Sequence, residues 1–421
     1  MIPALVTSFD SSDLLPELAK VYEDLHRHPE LSMHEVRTAK CAADELAAHG
    51  YDVTRGVGGT GVVGLLRNGE GPTVMLRADM DALPITEATG LPYASTVVAK
   101  DDHGADVGVA HACGHDMHVT WLIGAARVLS EHRDLWSGTV LAVFQPGEEV
   151  ARGARAMMDD DMVGRFPKPD VIFGQHVMVG AAGTVGLRSG TILSAGDTLR
   201  VKLFGRGSHG SQPQTSIDPV IMAASTAIRL QSIVSREIGP LDSAVVTIGS
   251  LHAGTKANII PDDATLALNI RTYDERVREH ILESVSRICR AEAMASGAPR
   301  DPELTQLSRY PLTENDPKAT ARVAKAFDAT FGERASEVPP ASASEDFSIF
   351  GRTWQAPYVF WIVGGTDPQR YADAKTRGKL DEIPSNHSPR FAPVVEPTLK
   401  TGLQAMLAAA SAWLAAPELA G

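Results

Sequence analysis

Apolar residues in the first 50 positions recur at helical spacing. Leu14 and Leu18 begin a run in which apolar residues follow one another every three or four positions, which is the period of one helix face. A second run of the same kind covers residues 35–49 and stops at Gly50. The pattern therefore predicts two helices, separated by a polar turn at residues 26–32.

Continuous apolar runs of strand length come next along the chain. Between two of them, residues 119–129 have helical spacing. Strand, crossover helix and strand in succession are typical of a largely parallel sheet, in which functional sites lie at the carboxyl edge. The strands predicted for this sheet are residues 62–66, 73–78, 138–145, 170–177 and 357–365.

The pattern changes between residues 190 and 309, where several segments alternate between apolar and polar positions. Four such strands and two amphipathic helices follow the order βαββαβ, which is that of a ferredoxin-like α+β fold. We therefore predict an inserted domain at residues 190–309, within a discontinuous α/β domain made of residues 1–189 and 310–421. The inserted strands are residues 198–205, 244–251, 264–272 and 303–308, and the helices are residues 219–235 and 274–295 there and 317–331 and 398–416 beyond.

Charge and cysteine content narrow the class of protein. The 421 residues include 39 Lys and Arg against 52 Asp and Glu, a formal net charge of -13, which argues against nucleic acid or an anionic membrane as partner. No apolar run has membrane-spanning length, and the first ten residues lack the features of a secretory signal. Three scattered cysteines form no disulfide framework. We expect a globular protein of the cytoplasm.

Residues 111–118 contain three imidazoles, one thiol and one carboxylate, a density of metal ligands that packing does not require. Cys113 and His115 are separated by one residue, so an extended backbone directs both side chains to one face. A closed zinc-finger site is the competing interpretation, but Cys41 and Cys289 are the only other cysteines and no C-x-x-C is present. An open site with nitrogen, oxygen and sulfur ligands remains, and such sites perform catalysis.

Further acids and histidines stand where the predicted strands end. Adjacent carboxylates repel each other unless a cation or a proton separates their charges. Because the carboxyl ends of parallel strands meet at one edge of a sheet, we expect these side chains to lie together. They are Asp79 and Asp81, Glu148 and Glu149, and His176, with His387 in a later Ser/Pro loop as the remaining candidate.

Five segments in order carry a resemblance: residues 76–84, 111–116, 144–149, 174–177 and 385–389. They resemble the amidohydrolases that include hippurate hydrolase, N-acyl-amino-acid aminoacylases and the plant auxin-conjugate hydrolases. These enzymes are a branch of the aminoacylase and glutamate-carboxypeptidase metallopeptidases. The likeness runs from about residue 15 to 415. It implies a zinc-peptidase-like catalytic domain with an inserted lid.

The resemblance implies a dinuclear metal site with a catalytic carboxylate beside it. Glu148 would be the general base that moves a proton from water to the leaving nitrogen. Asp81 would orient a ligand histidine, whereas Asp79 replaces a histidine ligand of more distant relatives, which leaves open whether it binds metal. The two ions would be divalent transition metals, Zn, Mn, Co or Ni, and their ligands would be Cys113, His115, Glu149, His176 and His387.

The resemblance also makes three residues of the inserted domain functional. His209 would stabilise the oxyanion of the tetrahedral intermediate, and Asn258 would approach the substrate. Arg271 would hold the carboxylate of the amino-acid end through two parallel donors. Relatives often dimerise through this lid, and some supply the histidine to the neighbour's site. We therefore expect a homodimer, with His209 acting either in the partner's site or in its own.

The function that the resemblance implies is a metal-dependent amidohydrolase. Its substrate would be a small N-acyl amino acid, with an acetyl, benzoyl or similar acyl group. An alternative in the same class is a dipeptidase or carboxypeptidase that acts on small peptides. From a different class, the chain would be a catalytically silent scaffold that binds such a ligand, but the presence of all five ligands and the base disfavours this interpretation.

Overall fold

The computed structural model describes residues 3–9 and 11–414, and the chain divides into two compact units. The first unit contains the residues up to Ile192, Glu314–Pro339, and those from Asp346 onwards. The second unit contains Leu193–Thr313 together with a short return segment, Pro340–Glu345. The hydrophobic pattern gave no sign of that return segment, because six residues of irregular backbone have no periodicity.

The described residues contain strands of two to eleven residues. In chain order they are β1 Asp52–Val57, β2 Gly61–Asn68, β3 Thr73–Asp79, β4 Val98–Lys100, β5 Asp106–Gly108, β6 Gly138–Gln145, β7 Val171–Ala181, β8 Val185–Leu187, β9 Gly190–Leu193, β10 Ala195–Phe204, β11 Ser208–His209, β12 Ala244–Ala253, β13 Ile259–Ile260, β14 Asp263–Thr272, β15 Glu303–Tyr310, β16 Thr313–Asn315, β17 Ala335–Glu337 and β18 Tyr358–Thr366.

The α-helices range from single turns to 21 residues. In chain order they are α1 Ala4–Thr7, α2 Ser11–Arg27, α3 Val36–Ala48, α4 His115–Glu131, α5 Gly153–Asp159, α6 Met162–Arg165, α7 Pro219–Arg236, α8 Glu275–Ala295, α9 Pro317–Phe331, α10 Ser348–Trp354, α11 Pro368–Thr376 and α12 Val395–Leu414. The last of these was predicted to end at residue 416, which lies outside the described residues. Along the described chain, no helix combines the length and apolar composition that a membrane crossing requires.

The first unit is built on an eight-stranded sheet in the order β1-β2-β6-β3-β7-β18-β8-β17. Its central strands β6, β3, β7 and β18 are parallel to one another, whereas β1 and β2 pair antiparallel at one edge. The predicted α/β fold with a mostly parallel sheet is therefore confirmed. β3 is buried over nearly its whole length, as expected of a strand covered on both faces.

Helix α4 is the buried crossover between the central strands, and it starts at the carboxyl edge of the sheet. Most of its residues are buried, because it packs against the sheet and against the helices α2 and α12. Packing is close there: a Cβ added at Gly402 of α12 would lie 2.0 Å from the indole of Trp121. This packing fixes the position of the helix N-terminus, where His115 and Asp116 stand.

The second unit has a four-stranded antiparallel sheet in the order β12-β14-β10-β15, against which α7 and α8 pack. The order βαββαβ and this strand arrangement are those of a ferredoxin-like fold. Each helix starts at an aspartate whose side chain accepts from a backbone N–H of the first turn, Asp218 for α7 and Asp274 for α8. The apolar faces of sheet and helices form a core of their own, which includes Val201, Leu266 and Ile281.

Candidate metal centre

Five side chains from four separate segments of the first unit converge at the carboxyl edge of its sheet. Sγ of Cys113 lies 3.5 Å from Nε2 of His176, and Nε2 of His387 lies 3.2 Å from Oε2 of Glu149. Nε2 of His115 lies 3.9 Å from Oε1 of the same glutamate. Two overlapping clusters of potential ligands result, and both contain Cys113: Cys113, His115 and His176, and Cys113, Glu149 and His387.

Two residues in the segments that carry these side chains, Gly114 and His387, have a left-handed backbone conformation. Gly114 has φ +83°, and a Cβ there would lie 2.4 Å from Val177, so only glycine lets the Cys113 loop approach β7. His387 has φ +69°, a region that histidine enters more often than most residues. Its backbone N–H donates to the carbonyl of Ala112 over 2.8 Å. The loop that carries His387 is thereby held against the loop that carries Cys113.

Asn386 links three of the ligand segments, a contribution that the sequence pattern did not reveal. Its Nδ2 donates to the carbonyl oxygen of Cys113 over 3.2 Å and to that of Val177 over 3.0 Å. The same Val177 carbonyl accepts from Nδ1 of His176 over 2.8 Å. That bond places the proton of His176 on Nδ1, and Nε2 is left as the ligand atom.

Asp81 contacts the ligand candidate His115, as expected, and also the turn that carries Glu148 and Glu149, which was not predicted. Its Oδ1 lies 3.3 Å from Nδ1 of His115, and its two oxygens accept from the backbone N–H groups of Glu148 and Glu149 over 3.1 and 3.0 Å. The hydroxyl of Ser32 donates to Oδ2 over 2.6 Å. These bonds to the charged form keep the pKa of Asp81 below its usual value although burial opposes ionisation.

Asp79 is engaged by protein groups on both of its oxygens. Oδ2 accepts from Arg77 over 2.6 Å, and Oδ1 accepts from Nδ1 of His118 over 2.6 Å. The other ring nitrogen of His118 accepts from the N–H of Val177 over 2.9 Å, so both of its nitrogens are occupied. Of the two oxygens of Asp79, Oδ2 approaches a ligand atom, at 3.7 Å from Nε2 of His115.

The third histidine of residues 111–118, His111, is buried, and burial lowers its pKa to about 4.

The converging residues fit a pair of divalent cations. Within the described residues, Nε2 of His115 and Oε1 of Glu149 are buried and have no hydrogen-bond partner, a costly state for polar atoms unless a cation satisfies them. Burial raises the pKa of the Cys113 thiol, and hydrogen bonds with Cys113 and Glu149 raise the pKa of His387 to about 10. Metal binding displaces such protons, and a set of thiolate, imidazole and carboxylate suits Zn, Mn, Co or Ni.

Glu148 stands beside the potential ligands without being the glutamate that pairs with His387. It is buried, with 5% of its surface exposed, and its carboxylate lies within 4.8 Å of ligand atoms of His115 and Glu149. This is the carboxylate to which the resemblance assigns the role of general base.

The remaining predicted residues belong to the second unit. β11 pairs with β13, so that His209 lies opposite Ile259, and the N–H of Gly210 donates to the carbonyl of Asn258 over 2.8 Å. His209 and Asn258 are therefore neighbours. Nδ1 of His209 accepts from the N–H of Ser211 over 3.1 Å, which leaves Nε2 as the protonated donor of a neutral ring.

Arg271 lies at the opposite end of the second unit's sheet. Its guanidinium donates to the hydroxyl of Ser344 and to Oδ1 of Asn269. Within the described residues it forms no ion pair, so its charge has only neutral partners.

Comparison with known proteins identifies the family of this chain. Residues 75–387 match the model of peptidase family M20/M25/M40. The chain is 38% identical to a hippurate hydrolase of Campylobacter jejuni over 83% of its own length and 88% of the relative's. It is 35% identical to thermostable carboxypeptidase 2 of Saccharolobus solfataricus, over 93% of this chain and 94% of that one.

A solved structure extends the likeness to the fold. The YXEP protein of Bacillus subtilis, described as a dinuclear metal binding peptidase from the M20 family, superposes with a TM-score of 0.74 at 29% identity. The match covers 95% of this chain and 99% of that one. The matched family region includes all five converging ligands, from Cys113 to His387. This chain therefore belongs to peptidase family M20/M25/M40.

Proposed function

We propose that this chain hydrolyses the amide bond of N-acylated amino acids and releases a carboxylic acid and a free amino acid. The chain is a metal-dependent amidohydrolase of its family. The observation that carries the proposal is the convergence of Cys113, His115, Glu149, His176 and His387 next to Glu148, in a chain 38% identical to a hippurate hydrolase.

Glu148 performs the proton transfers in this proposal. Cations held by Cys113, His115, Glu149, His176 and His387 would lower the pKa of a water molecule and polarise the scissile carbonyl. Glu148 accepts a proton as the water oxygen bonds to the carbonyl carbon, and it returns that proton to the nitrogen as the C–N bond breaks. The hydrogen bonds from Glu148 and Glu149 to Asp81 keep the base and the neighbouring ligand in fixed positions.

Arg271 is the residue that we assign to the carboxylate of the amino-acid end. Its partners Ser344 and Asn269 accept hydrogen bonds but carry no negative charge. The guanidinium is therefore oriented yet not neutralised, and a substrate carboxylate would supply the missing charge with two parallel hydrogen bonds.

His209 and Asn258 stand too far from Arg271 to contact the same small substrate within one chain. Gly196 lies opposite Arg271 at one end of the β10–β14 pair, and Phe204 lies opposite Asp263 at the other end, eight positions away. The segments that carry His209 and Asn258 continue from this second end, where Ser208 lies opposite Ile260. The two ends of the β10–β14 pair are roughly 27 Å apart at the rise of an extended strand. We propose that Arg271 and the pair of His209 and Asn258 act on substrates bound by different subunits, and that Nε2–H of His209 donates to the oxyanion in the site of a partner subunit.

The surface of the second unit supports a homodimer. β12 is an edge strand of its sheet, and Val245 on this strand is 52% exposed. Ile221 and Ile228, one heptad apart on α7, are 64% and 77% exposed. An open strand edge next to exposed apolar side chains is a surface suited to pairing with a second copy. We propose this surface, consisting of α7 and β12, as the dimer interface.

The remaining assignments follow from charge and cysteine chemistry. We propose a small-molecule substrate, with neither nucleic acid nor a membrane as partner, because the net charge is -13. We also propose the cytoplasm, since Cys41, Cys113 and Cys289 are all free. Zn, Mn, Co and Ni all suit the ligand set, and the availability of these metals in the cell would decide which one is bound.

Peptide hydrolysis is the second candidate function, and the 35% identity to a thermostable carboxypeptidase favours it. A substrate panel separates the two. Metal-loaded protein would be assayed with acetyl-, benzoyl-, longer acyl- and indoleacetyl-amino acids, and with dipeptides of the same amino acids. Faster turnover of the acylated amino acids is expected. Faster turnover of dipeptides would replace the proposal with the peptidase, and hydrolysis of neither class would contradict both.

A further inference from the structure

We infer that Glu35 is a positioning residue for the turn that carries Glu148 and Glu149. This inference rests on the proposed function, because it concerns the same proton transfers and the same ligand. Glu35 contributes no ligand atom. It belongs to the polar segment between α2 and α3, to which neither the sequence motifs nor the mechanism assigned a task.

Three consecutive amides of the turn are held by two buried carboxylates. The N–H of Gly147 donates to Oε1 of Glu35 over 2.8 Å, while those of Glu148 and Glu149 donate to Asp81. The turn is closed from the other side as well, because the N–H of Gly153 donates to the carbonyl of Gly147 over 3.0 Å. Glu35 therefore supplies one of the three restraints on the amides of residues 147–149.

The segment before α3 is fitted to this turn by shape as well as by hydrogen bonding. Gly147 has φ +54°, and a Cβ there would lie 2.4 Å from Sδ of Met33. The N–H of Met33 donates to the same Oε1 of Glu35 over 2.7 Å. Oε2 accepts from the hydroxyl of Thr60. One carboxylate thus joins the α2–α3 segment, the β1–β2 loop and the Glu148 turn.

Ordinary structural roles do not account for this carboxylate. Glu35 is fully buried, and among residues 3–9 and 11–414 it pairs with no cation, an unfavourable placement for a charge. It precedes α3 but makes no capping hydrogen bond to it. Glu30 performs that task instead, as its oxygens accept from the N–H groups of Arg37 and Thr38, both over 2.8 Å.

The same segment also reaches the second restraint of the turn. Ser32 donates to Oδ2 of Asp81 over 2.6 Å, and the N–H of Ala82 donates to the carbonyl of Glu30 over 2.8 Å. Both carboxylates that hold the turn are therefore connected to residues 30–35. A change at Glu35 should move Glu148 and Glu149 while leaving Cys113, His115 and His176 in place.

The test compares Glu35→Ala with Glu35→Gln and with Glu30→Ala as matched control. The alanine variant leaves the Gly147 amide without its acceptor, and we expect Co²⁺ affinity and kcat to fall about 10-fold to 100-fold, as for other partners of metal-site residues, with KM nearly unchanged. In the glutamine variant the amide oxygen still accepts from Met33 and Gly147, and the Thr60 hydroxyl can accept from Nε2. We therefore expect this variant to keep most of the wild-type Co²⁺ affinity and kcat.

The readouts are Co²⁺ affinity by chelator competition, the visible absorption spectrum of the Co²⁺-loaded protein, and the separate values of kcat and KM. Glu30→Ala should lower the melting temperature but change none of them. If Glu35→Ala fails to fold, Thr60→Val takes its place as a milder variant. Thr60→Val should also weaken Co²⁺ binding.

Wild-type affinity, spectrum and kcat in Glu35→Ala would overturn the inference, as would unchanged Co²⁺ affinity in Thr60→Val. Equal losses in the alanine and glutamine variants would overturn it too. If the wild type bound Co²⁺ but hydrolysed no acylated amino acid, the proposed function would fail, whereas the affinities and spectra would still decide the role of Glu35.

Discussion

The two adjacent glutamates after β6 differ in what surrounds them. Oε2 of Glu149 lies 3.2 Å from His387, and its Oε1 faces His115. Glu148 shares the backbone restraint by Asp81 but not the pairing with His387. Two residues of the same chemistry are thus given different tasks by a single step along the backbone.

Substitution separates these tasks. We expect Glu148→Gln to retain both metal ions but to lose about 100-fold to 10,000-fold in kcat, because the amide cannot accept the proton of water. We expect Glu149→Ala to lose metal instead, since a buried ligand atom is removed. Metal content per chain and kcat, measured for both variants, check this. Near-normal kcat in Glu148→Gln would mean that another group is the base.

Removal of the metal is the second prediction at the scale of single residues. The purified protein should hold up to two divalent ions per chain, and a chelator should abolish hydrolysis that added Mn, Co or Zn restores. The reason is that the cations would lower the pKa of the attacking water and polarise the carbonyl, and no other group that we assign to the site supplies that chemistry. Full activity of metal-free protein would contradict the ligand assignment.

Single functional residues could be predicted where potential metal ligands stand close together in the sequence. Cys113, His115, Glu149 and His176 were candidates because potential ligands were concentrated in one segment or followed predicted strands, whereas His387 lies in a Ser/Pro loop and the resemblance completed the ligand set. Asn386, Ser32 and Glu35 were missed, because a single polar residue in a turn has no periodicity, and the atom it contacts belongs to a distant segment.

At the scale of elements, a buried ion-pair network ties α2 to the start of α4. Nδ1 of His26 lies 2.6 Å from Oδ2 of Asp116, and its Nε2 lies 3.1 Å from Oε1 of Glu87. Burial alone would lower the pKa of His26, but the two carboxylates raise it to about 10. Asp116 follows the ligand His115 directly, so this network holds the N-terminus of α4 in place.

Stability should depend on pH through this network. The folded pKa of His26 lies above its unfolded value of about 6.5, so its contribution is complete below pH about 6.5 and is lost as the pH rises towards 10. We expect His26→Gln to lower the free energy of unfolding by about 3–5 kcal/mol at pH 7, and the difference from wild type to shrink by pH 9.5.

Denaturant unfolding of metal-free protein, followed by tryptophan fluorescence, measures this effect. All five tryptophans belong to the first unit, so the signal reports the unit that contains His26. His28→Gln is the control, because His28 and its partner Asp24 are each 43% exposed. A difference that stayed constant between pH 7 and 9.5 would argue against a charged His26.

Helices and strands were predictable where the hydrophobic pattern that marks them extends over many residues. The helices at residues 219–235 and 317–331 and the strand at residues 138–145 were placed within a residue or so of α7, α9 and β6. β8 and β17, of three residues each, were missed. Such short strands exist because β8 pairs with β18 on one side and β17 on the other, and this pairing is non-local and leaves no trace in the local sequence.

At the scale of the whole molecule, the sequence predicted two domains but not how one active site is assembled. The strand register of the second unit provides the new information, because Arg271 lies at one end of the β10–β14 pair and His209 and Asn258 lie at the β11–β13 pair beyond its other end. Sequence spacing alone did not reveal this separation.

Mixing two inactive chains tests assembly across subunits. Glu148→Gln lacks the base and His209→Ala lacks the oxyanion donor, and a mixed dimer would contain one site with neither change if His209 acts in the partner. Refolding or subunit exchange should then recover up to about a quarter of wild-type activity, since half of the dimers are mixed and each has one intact site of two. No recovery from verified heterodimers would place His209 in its own chain's site.

The opposite placement of Arg271 and His209 also bears on dilution. If every working site needs side chains from two subunits, specific activity falls when the protein concentration drops below the dimer dissociation constant. The metal content per chain stays constant, because all five proposed ligands belong to one unit of one chain. The monomer would bind metal but would be inactive. The protein concentration at half-maximal specific activity would therefore equal the dissociation constant of the dimer formed through α7 and β12.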